Sequence, residues 1–251
     1  MRTMQNGNAT RPERADERER GAASLTLPNA PRTASPVPWL TSIHARPGRG
    51  PYGNPGYRGN CSGLLIEDLL NYYRPRRVFD PMQGGGTCRD VCSTLGIAYP
   101  GHDLRSGFDS TRPGAFSELG RFDFIWMHPP YWKMVRYSDD ERCLSNAATM
   151  REFIGRLRQV LNNCMSVLND GGKLAILIGD GKHEGRYMGL PFRVMRAAAL
   201  EGYWLAAPEI IRFGHGSSSS TKVYSTSFIP RLHDVCLVLE RDPLKARAPI
   251  K

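Results

Sequence analysis

The fold of this chain can be worked out from one segment, Val78-Phe79-Asp80-Pro81-Met82-Gln83-Gly84-Gly85-Gly86-Thr87. Its first two residues predict a short strand, and a helix is predicted from about Arg89 to Leu95. Glycines between a strand and a helix allow positive φ and bring the backbone close to a ligand. The first turn of the helix leaves backbone N–H groups free to bind an anion. The segment therefore predicts a nucleotide-like ligand, although such turns also serve dinucleotides or packing alone.

Two acidic residues follow this glycine loop and are candidates for holding the same ligand. Asp103 comes directly after the next predicted strand, Ile97–His102. A carboxylate there can accept hydrogen bonds from ribose hydroxyls, as in nucleotide-binding α/β folds; its other interpretation is a turn former. Asp109 could approach the adenine end of a cofactor or cap a turn. A P-loop is excluded because the chain has no GxxxxGK[ST] motif.

Strands and helices are predicted to alternate on both sides of the glycine loop. A first helix, capped by Asn60 or Ser62, ends before Pro75. The later elements are a strand at Phe122–Met127, a helix at Met150–Leu168, a turn at Asp170-Gly171-Gly172, a strand at Lys173–Ile178, a helix at Phe192–Leu200, and two paired strands at Tyr203–Phe213 and Val235–Glu240. This alternation predicts an α/β, doubly wound, mostly parallel sheet that binds ligands at the carboxyl ends of its strands.

Composition narrows the class of partner. The 251 residues carry a formal net charge of +10, which favours a polyanion, with nucleic acid ahead of a membrane surface and a solubility role as the alternative. Residues 1–36 are polar and predict a disordered tail before a single domain at 37–245. No targeting signal or membrane-spanning run is visible, so a cytoplasmic location is expected. The six cysteines lack paired CxxC spacing, which predicts reduced thiols and no metal site.

The most specific motif is His128-Pro129-Pro130-Tyr131, directly after the predicted central strand. Two prolines cannot continue the hydrogen-bond ladder, and they fix φ and stiffen the chain at the carboxyl edge of the sheet. Such a turn can direct backbone carbonyls into an active-site crevice. Tyr131 would then present a flat ring on which a base can stack.

These two motifs, in this order, resemble those of the amino-methylating DNA methyltransferases, the N6-adenine and N4-cytosine group. Asp80–Thr87 resembles the cofactor loop of that family, and His128–Tyr131 resembles its catalytic tetrapeptide. The resemblance covers residues 37–240 and extends to Tyr57–Ser62, Leu177–Asp180, Leu190–Phe192, Lys222–Pro230 and His233. It implies a Rossmann-like fold of S-adenosylmethionine-dependent methyltransferases, with an antiparallel strand near the C-terminus.

The family also implies a mechanism and a set of site residues. The target nucleotide is flipped out of the duplex, and the first tetrapeptide side chain and the Pro129 carbonyl accept hydrogen bonds from its amino group. Positioning and charge complementarity supply most of the rate. The implied catalytic residues are His128, Pro129, Pro130 and Tyr131; the implied S-adenosylmethionine-binding residues are Asn60, Asp80, Met82, Gly84, Gly86, Thr87, Asp103 and Asp109.

Position 128 departs from the family, which has Asp, Asn or Ser there. A neutral imidazole can accept one hydrogen bond, whereas a protonated one cannot. We therefore expect the rate to fall below roughly pH 6.5, the ordinary pKa of histidine. Alternatively, His128 is a spacer, and the Pro129 carbonyl alone holds the amino group.

Three loops with basic and aromatic residues are candidates for contacting DNA: 132–146, 181–189 and 214–231. The predicted nucleic-acid contacts are Trp132, Lys133, Arg136, Lys182, Arg186 and Lys222. Each lone basic residue could instead be a solvated surface charge. A separate target-recognition domain has little room, so a homodimer or a partner subunit could supply the missing contacts.

The preferred function is methylation of adenine N6 in DNA. The alternatives are cytosine N4 in DNA, a tRNA guanine-N2 type of RNA methylation, and a nucleic-acid-binding pseudoenzyme in which His128 marks lost activity. An NAD-dependent oxidoreductase is disfavoured, because the Pro-Pro-Tyr turn has no role in one.

Overall fold

A computed structural model describes residues 35–213, 229 and 231–242 of the chain. The description below concerns these residues. The predicted N-terminal tail up to residue 34, the contact at Lys222 and most of the Lys222–Pro230 segment lie outside the described residues.

The helices in the described residues are α1 (Leu64–Tyr73), α2 (Thr87–Leu95), α3 (Met150–Val167) and α4 (Leu190–Leu200). The strands are β1 (Ile43–His44), β2 (Val78–Phe79), β3 (Phe122–Met127), β4 (Leu168–Ile178), β5 (Lys182–His183), β6 (Arg186–Tyr187), β7 (Tyr203–Leu205), β8 (Ile210–Phe213) and β9 (His233–Arg241). Short 3-10 helices lie at Leu104–Ser106, Trp132–Met134 and Leu144–Asn146.

The described strands form one mixed sheet and one small hairpin. The sheet has the order β1-β8-β9-β4-β3-β2, and β7 also pairs with β9. Strands β2, β3 and β4 run parallel to one another, and β1 runs parallel to β8. Strand β9 is antiparallel to β4, β7 and β8. The predicted α/β sheet with an antiparallel strand near the C-terminus is therefore confirmed; β5 and β6 form the separate hairpin.

Strand β3 is buried on both faces over Phe124–Met127, which explains the apolar run that follows Asp123. Phe124 and Trp126 pack into a cluster with residues of α1 and α2. Ile125 and Met127 point the other way, into a cluster with residues of α3 and α4. Successive strand residues face opposite sides, so one six-residue segment contributes to both cores. Parallel pairing puts the C-terminal ends of β2 and β3 side by side at one edge of the sheet.

Some element boundaries differ from the predictions. Helices α2 and α4 each begin two residues earlier than expected. The N-cap of α1 is Gly63 rather than Asn60 or Ser62, although the Ser62 hydroxyl accepts a hydrogen bond from the Leu64 N–H at 3.3 Å.

The prediction of a regular strand at Ile97–His102 is wrong. This segment meets β2 only through isolated bridges, Arg77 with Ala98 and Asp80 with Gly101. Pro100, between the two bridges, has no N–H to extend the ladder.

The C-terminal strands also differ from the prediction. The expected strand at Tyr203–Phe213 is divided into β7 and β8, and both pair with β9. The expected turn at Asp170–Gly172 lies inside β4 as an irregularity, where Leu168 faces Phe122 and Lys173 faces Phe124. Strand β1 and the β5–β6 hairpin were not predicted, because none of their two-residue strands is an apolar pair such as Val78-Phe79.

Candidate active site

A cleft of about 920 Å³, open to solvent, lies at the carboxyl ends of β2 and β3. The glycine loop after β2 forms one wall, and His128 and Pro130 after β3 form part of another. All the residues predicted to hold the cofactor except Gly86 line this cleft. The two sequence motifs are therefore brought together at the predicted edge of the sheet.

The glycine loop has the backbone that its composition predicts. Gly84 and Gly86 have φ of +50° and +81°, in the left-handed region that disfavours other residues. Gly86 is also the N-cap of α2 and makes no side-chain cap. A Cβ at Gly84 would lie 3.0 Å from Cε1 of Tyr57, so Tyr57 covers the loop closely.

Asp80 is a buried carboxyl group at the start of the loop, with 3% of its surface exposed. Its Oδ1 accepts a hydrogen bond from the Met82 N–H at 2.9 Å. Burial, and to a smaller extent the negative charge of Asp103, raise the pKa of Asp80 to about 7 against the opposing effect of the bonds from Met82 and Tyr99. Asp80 is thus close to half-protonated at neutral pH, and a cationic ligand beside it would favour the ionised form.

Asp103 is the ionised carboxylate of the cleft. Its Oδ2 accepts the Gly84 N–H at 2.9 Å, and its Oδ1 accepts Nε of Arg105 at 2.9 Å. Burial acts to raise the pKa of Asp103, but the hydrogen bonds from Arg105 and Gly84 outweigh it and lower the pKa. Arg105 also donates to the Gly84 carbonyl at 2.6 Å and lies over the Tyr57 ring at 4.7 Å. Sequence reasoning missed Arg105, because it belongs to neither motif, whereas Tyr57 lies in the segment Tyr57–Ser62 that the family resemblance included.

The remaining predicted cofactor residues also contact their neighbours in the cleft wall. Asp109 accepts hydrogen bonds from the N–H and hydroxyl of Thr111, at 2.8 and 2.6 Å, so it stabilises a turn while lining the cleft. The Thr87 hydroxyl donates to Oδ1 of Asn60, and Nδ2 of Asn60 donates to the Asn54 carbonyl at 2.7 Å. These bonds tie the segment before α1 to the glycine loop.

The tetrapeptide after β3 is held by a bond within itself. Nε2 of His128 lies 2.8 Å from the Tyr131 hydroxyl. Burial lowers the pKa of His128 to about 4, although the negative charge of Asp234 acts against this shift. Burial also raises the pKa of Tyr131 well above its ordinary value. At neutral pH the pair is therefore a neutral imidazole beside a protonated phenol.

A buried ion pair lies beside this tetrapeptide and was not predicted. Nη2 of Arg212 on β8 donates to Oδ2 of Asp234 on β9, and the two side chains are 9% and 7% exposed. Arg212 faces Asp234 across one pair of strands and His44 across the other. His44 in turn bonds Asp68 at 2.9 Å. The only sequence signal is an acidic residue directly before an apolar strand, which occurs too widely to be specific.

The predicted nucleic-acid contact at Trp132 needs correction. Its ring is 5% exposed, and its indole N–H donates to the Ala147 carbonyl at 2.8 Å, so Trp132 belongs to the core. The ring also meets His183 at a centroid distance of 4.7 Å, which joins the β5–β6 hairpin to the segment after Tyr131.

The other described basic residues of the prediction lie on these two segments. Lys133, Arg136, Lys182 and Arg186 are exposed. Arg136 pairs with the exposed Asp139 at 2.9 Å, and the ammonium of Lys182 lies 4.7 Å from the Tyr187 ring centroid. The structure therefore leaves these four side chains at the surface, where the sequence predicted them.

No group of three or more potential metal ligands occurs among the described residues. In the same part of the chain, no helix is long and apolar enough to cross a membrane. The six cysteines are buried and form no disulfide.

Comparison with known proteins gives structural likenesses only. No protein-family model and no curated protein matches the chain. It is similar to TrmN from Thermus thermophilus (19% identity, TM-score 0.46, covering 73% of this chain and 50% of that one). It is also similar to a second Thermus thermophilus protein, provisionally described as a DNA modification methylase and complexed with S-adenosyl-L-methionine (16%, 0.39, 70% and 59%).

A third similar structure is the glycopeptide N-methyltransferase MtfA, complexed with S-adenosylmethionine (12% identity, TM-score 0.42, covering 77% of this chain and 99% of that one). The chain thus spans little more than half the length of the first two proteins and nearly all of the third. At these identities and TM-scores, a similar backbone does not establish a shared activity.

Proposed function

We propose that this chain transfers a methyl group from S-adenosylmethionine to the exocyclic amino group of a nucleic-acid base, with adenine N6 in DNA as the preferred acceptor. One observation carries the proposal: the glycine loop after β2, together with His128 and Pro130 of the turn after β3, lines a single cleft at the carboxyl edge of the sheet. A glycine loop alone would fit many nucleotide-like ligands. A rigid Pro-Pro-Tyr turn opposite it supports chemistry on an amino group.

The donor set of the cleft fits S-adenosylmethionine. The ionised Asp103 can accept hydrogen bonds from ribose hydroxyls, and Arg105 holds it in place. The buried Asp80 suits a ligand with positive charge, because a cation favours its ionised form. The bound cofactor would supply a methyl group activated on a sulfonium. Tyr57, over the glycine loop, would help to exclude water from it.

The turn after β3 supplies the acceptor side. Pro129 and Pro130 restrict the backbone, so the Pro129 carbonyl can be held in one orientation. An exocyclic amino nitrogen is a poor nucleophile, because its lone pair is delocalised into the ring. Fixing its hydrogens on acceptors aligns that lone pair with the methyl group, which lowers the barrier through positioning rather than covalent catalysis.

Nucleic acid as the substrate is supported by charge. The net charge is +10, and Lys133, Arg136, Lys182 and Arg186 are exposed on the two segments joined by the Trp132–His183 contact. Basic side chains near a catalytic turn can hold phosphates while a base is flipped.

The proposal is tested by incubating the full chain with methyl-labelled S-adenosylmethionine and, separately, DNA and RNA, followed by mass spectrometry of the nucleosides. Label in N6-methyladenine from DNA is the expected result. Label in N4-methylcytosine or only in RNA would replace the preferred acceptor. Cofactor binding without label in any nucleoside would contradict the proposal and favour a pseudoenzyme.

Two variants distinguish the acceptor side of the cleft from the cofactor side. Tyr131→Ala should lower the methylation rate at least about a hundredfold, a typical cost of misplacing a reacting group, and leave affinity for S-adenosylhomocysteine nearly unchanged. Asp103→Asn should instead weaken that affinity at least about tenfold, because a charged acceptor is lost. Equal loss of affinity in both variants would mean that the acceptor pocket is misplaced.

A further inference from the structure

His128 is poorly suited to accept a hydrogen bond from a target amino group. Its imidazole is neutral at neutral pH, and a neutral imidazole has one acceptor nitrogen. Nε2 lies 2.8 Å from a tyrosine hydroxyl that keeps its proton, because burial holds the pKa of Tyr131 high. The hydroxyl can donate to Nε2 and so occupy that acceptor. The turn is then left with the Pro129 carbonyl and needs a second acceptor.

A carboxylate lies beside the same tyrosine ring. A Cβ at Gly179, just after β4, would lie 2.6 Å from Cε2 of Tyr131 and 2.9 Å from Nη1 of Arg231, and closer still to Oδ1 of Asp234. The absence of a side chain at Gly179 therefore lets a carboxylate oxygen, a guanidinium and the tyrosine ring meet at one point.

The charge state of Asp234 suits an acceptor. Burial acts to raise its pKa, but the attraction and hydrogen bond of Arg212 outweigh burial and lower it. Oδ2 is used by Arg212, whereas Oδ1 is 3.9 Å from Nη2 of Arg231, beyond hydrogen-bond distance. Among the described residues, Nε of Arg212 and Nη1 of Arg231 are buried donors without a partner. These guanidinium groups keep the carboxylate ionised while one of its oxygens faces the tyrosine.

We propose that Asp234 is a catalytic residue whose Oδ1 accepts a hydrogen bond from the target amino group, replacing the polar acceptor that His128 does not provide. The assignment rests on the proposed function and deepens it. The acceptor comes from β9 rather than from the turn after β3, and Arg212 and Arg231 position it.

The chemical step balances with groups of this chain and the two substrates. The amino nitrogen forms a bond to the methyl carbon as the carbon–sulfur bond of the sulfonium breaks, and that bond's electron pair stays on sulfur. The nitrogen then releases one proton along its hydrogen bond to Oδ1 of Asp234, from which it passes to solvent. The Pro129 carbonyl holds the other hydrogen of the amino group.

The test is to remove the carboxylate at position 234 and to place one at position 128, in the turn after β3. Asp234→Asn should lower kcat at least about a hundredfold, within the range for loss of a proton acceptor, with KM for S-adenosylmethionine changed less than about threefold. The double variant His128→Asp/Asp234→Asn should recover at least about tenfold of that loss. A structural role for Asp234 gives no reason for rescue by a carboxylate at position 128, so absence of rescue would overturn the proposal.

Two further variants keep the result interpretable if Asp234→Asn does not fold. His128→Ala leaves the ion pair intact and should lower kcat less than about tenfold; a loss above about a hundredfold would make His128 the acceptor and overturn the proposal. Asp68→Asn is a matched loss of a buried carboxylate, which is paired with His44 and Arg46 and does not line the cleft, so kcat of the folded variant should change less than about threefold.

The failure of this inference differs from the failure of the proposed function. A wild-type chain that methylates no base contradicts the proposed function. A wild-type chain that methylates a base, together with a fully active Asp234→Asn variant, contradicts only the role of Asp234.

Discussion

Replacing Gly179 by alanine would put a methyl group into the point where Asp234, Tyr131 and Arg231 meet. The new Cβ would approach atoms of all three at less than 3.0 Å, a separation that real Cβ atoms do not show. Gly179 does not have a positive φ, so the backbone itself would tolerate alanine. The damage would therefore come from displaced side chains rather than from backbone strain.

The size of the effect follows from two opposing contributions. Inserting a methyl group into a packed site costs about 1–3 kcal/mol. Alanine also reduces the entropy of the unfolded chain relative to glycine, which restores about 0.4–1 kcal/mol. We expect a net loss of up to about 2.6 kcal/mol, or up to roughly 10 °C in Tm for a chain of this size. Displacing Tyr131 and Asp234 by about 1 Å should lower the methylation rate about a hundredfold.

The assays are thermal unfolding and single-turnover methylation with labelled S-adenosylmethionine. Gly155→Ala is the matched control, because Gly155 lies within α3 and a Cβ there would meet nothing within 4 Å. Alanine in that helix should raise stability by about 0.5–1 kcal/mol and leave the rate unchanged. If Gly179→Ala methylated at the wild-type rate, the juxtaposition at Gly179 would have no catalytic meaning.

Three other predictions concern charge. Burial raises the pKa of Asp80 in the folded state from its ordinary 3.8 to about 7, so between these pH values the folded state binds one more proton than the unfolded state. The free energy of unfolding should therefore fall as pH rises from about 4 to about 7. Denaturant unfolding measured across this range should show that fall in the wild type and not in Asp80→Asn. Because burial lowers the pKa of His128 to about 4, His128 should cause no change in the single-turnover methylation rate between pH 5.5 and 8. A fall in rate centred near pH 6.5 that is present in the wild type and absent in His128→Ala would show instead that this histidine is solvated. Lys133→Ala should reduce the slope of log Kd for DNA against log salt concentration by about one unit, as measured by fluorescence anisotropy. Arg196→Ala, at an exposed position on α4, should leave the slope unchanged. Equal slopes for both variants would show that Lys133 does not contact DNA.

The pH expectation for His128 shows where sequence reasoning stopped. From residue type alone, the rate was expected to fall below roughly pH 6.5, the ordinary value for a solvated imidazole. Burial beside Tyr131 moves that titration to about 4. A flat profile therefore no longer excludes His128 as an acceptor, and the pH dependence that the sequence predicted is replaced by a test through substitution.

Trp132 illustrates the same limit for surface contacts. An aromatic residue next to Lys133 in a loop fits base stacking as well as it fits packing. The choice depends on whether other segments cover the ring, and here the Ala147 carbonyl and His183 do. Burial is a property of segments distant in sequence, so a local pattern could not predict it.

Features carried by neighbouring residues can be predicted from the amino-acid sequence alone. The strand, glycine loop and helix from Val78 to Leu95 follow from apolar residues, left-handed glycines and a free helix N-terminus. The largely apolar strand Phe122–Met127 and the Pro-Pro-Tyr turn after it are equally local, and residues of the glycine loop and of the turn line one cleft as expected.

The acidic partner of the turn depended on the tertiary fold. Asp234 reaches Tyr131 because β9 inserts antiparallel between β8 and β4, in a register that places Arg212 opposite it and Gly179 beside it. Cross-strand register is set by packing over the whole sheet, whereas a glycine loop is set by a few adjacent φ angles. For that reason the sequence predicts a cleft and a catalytic turn, while the buried carboxylate beside His128 becomes visible only when the strands are assembled.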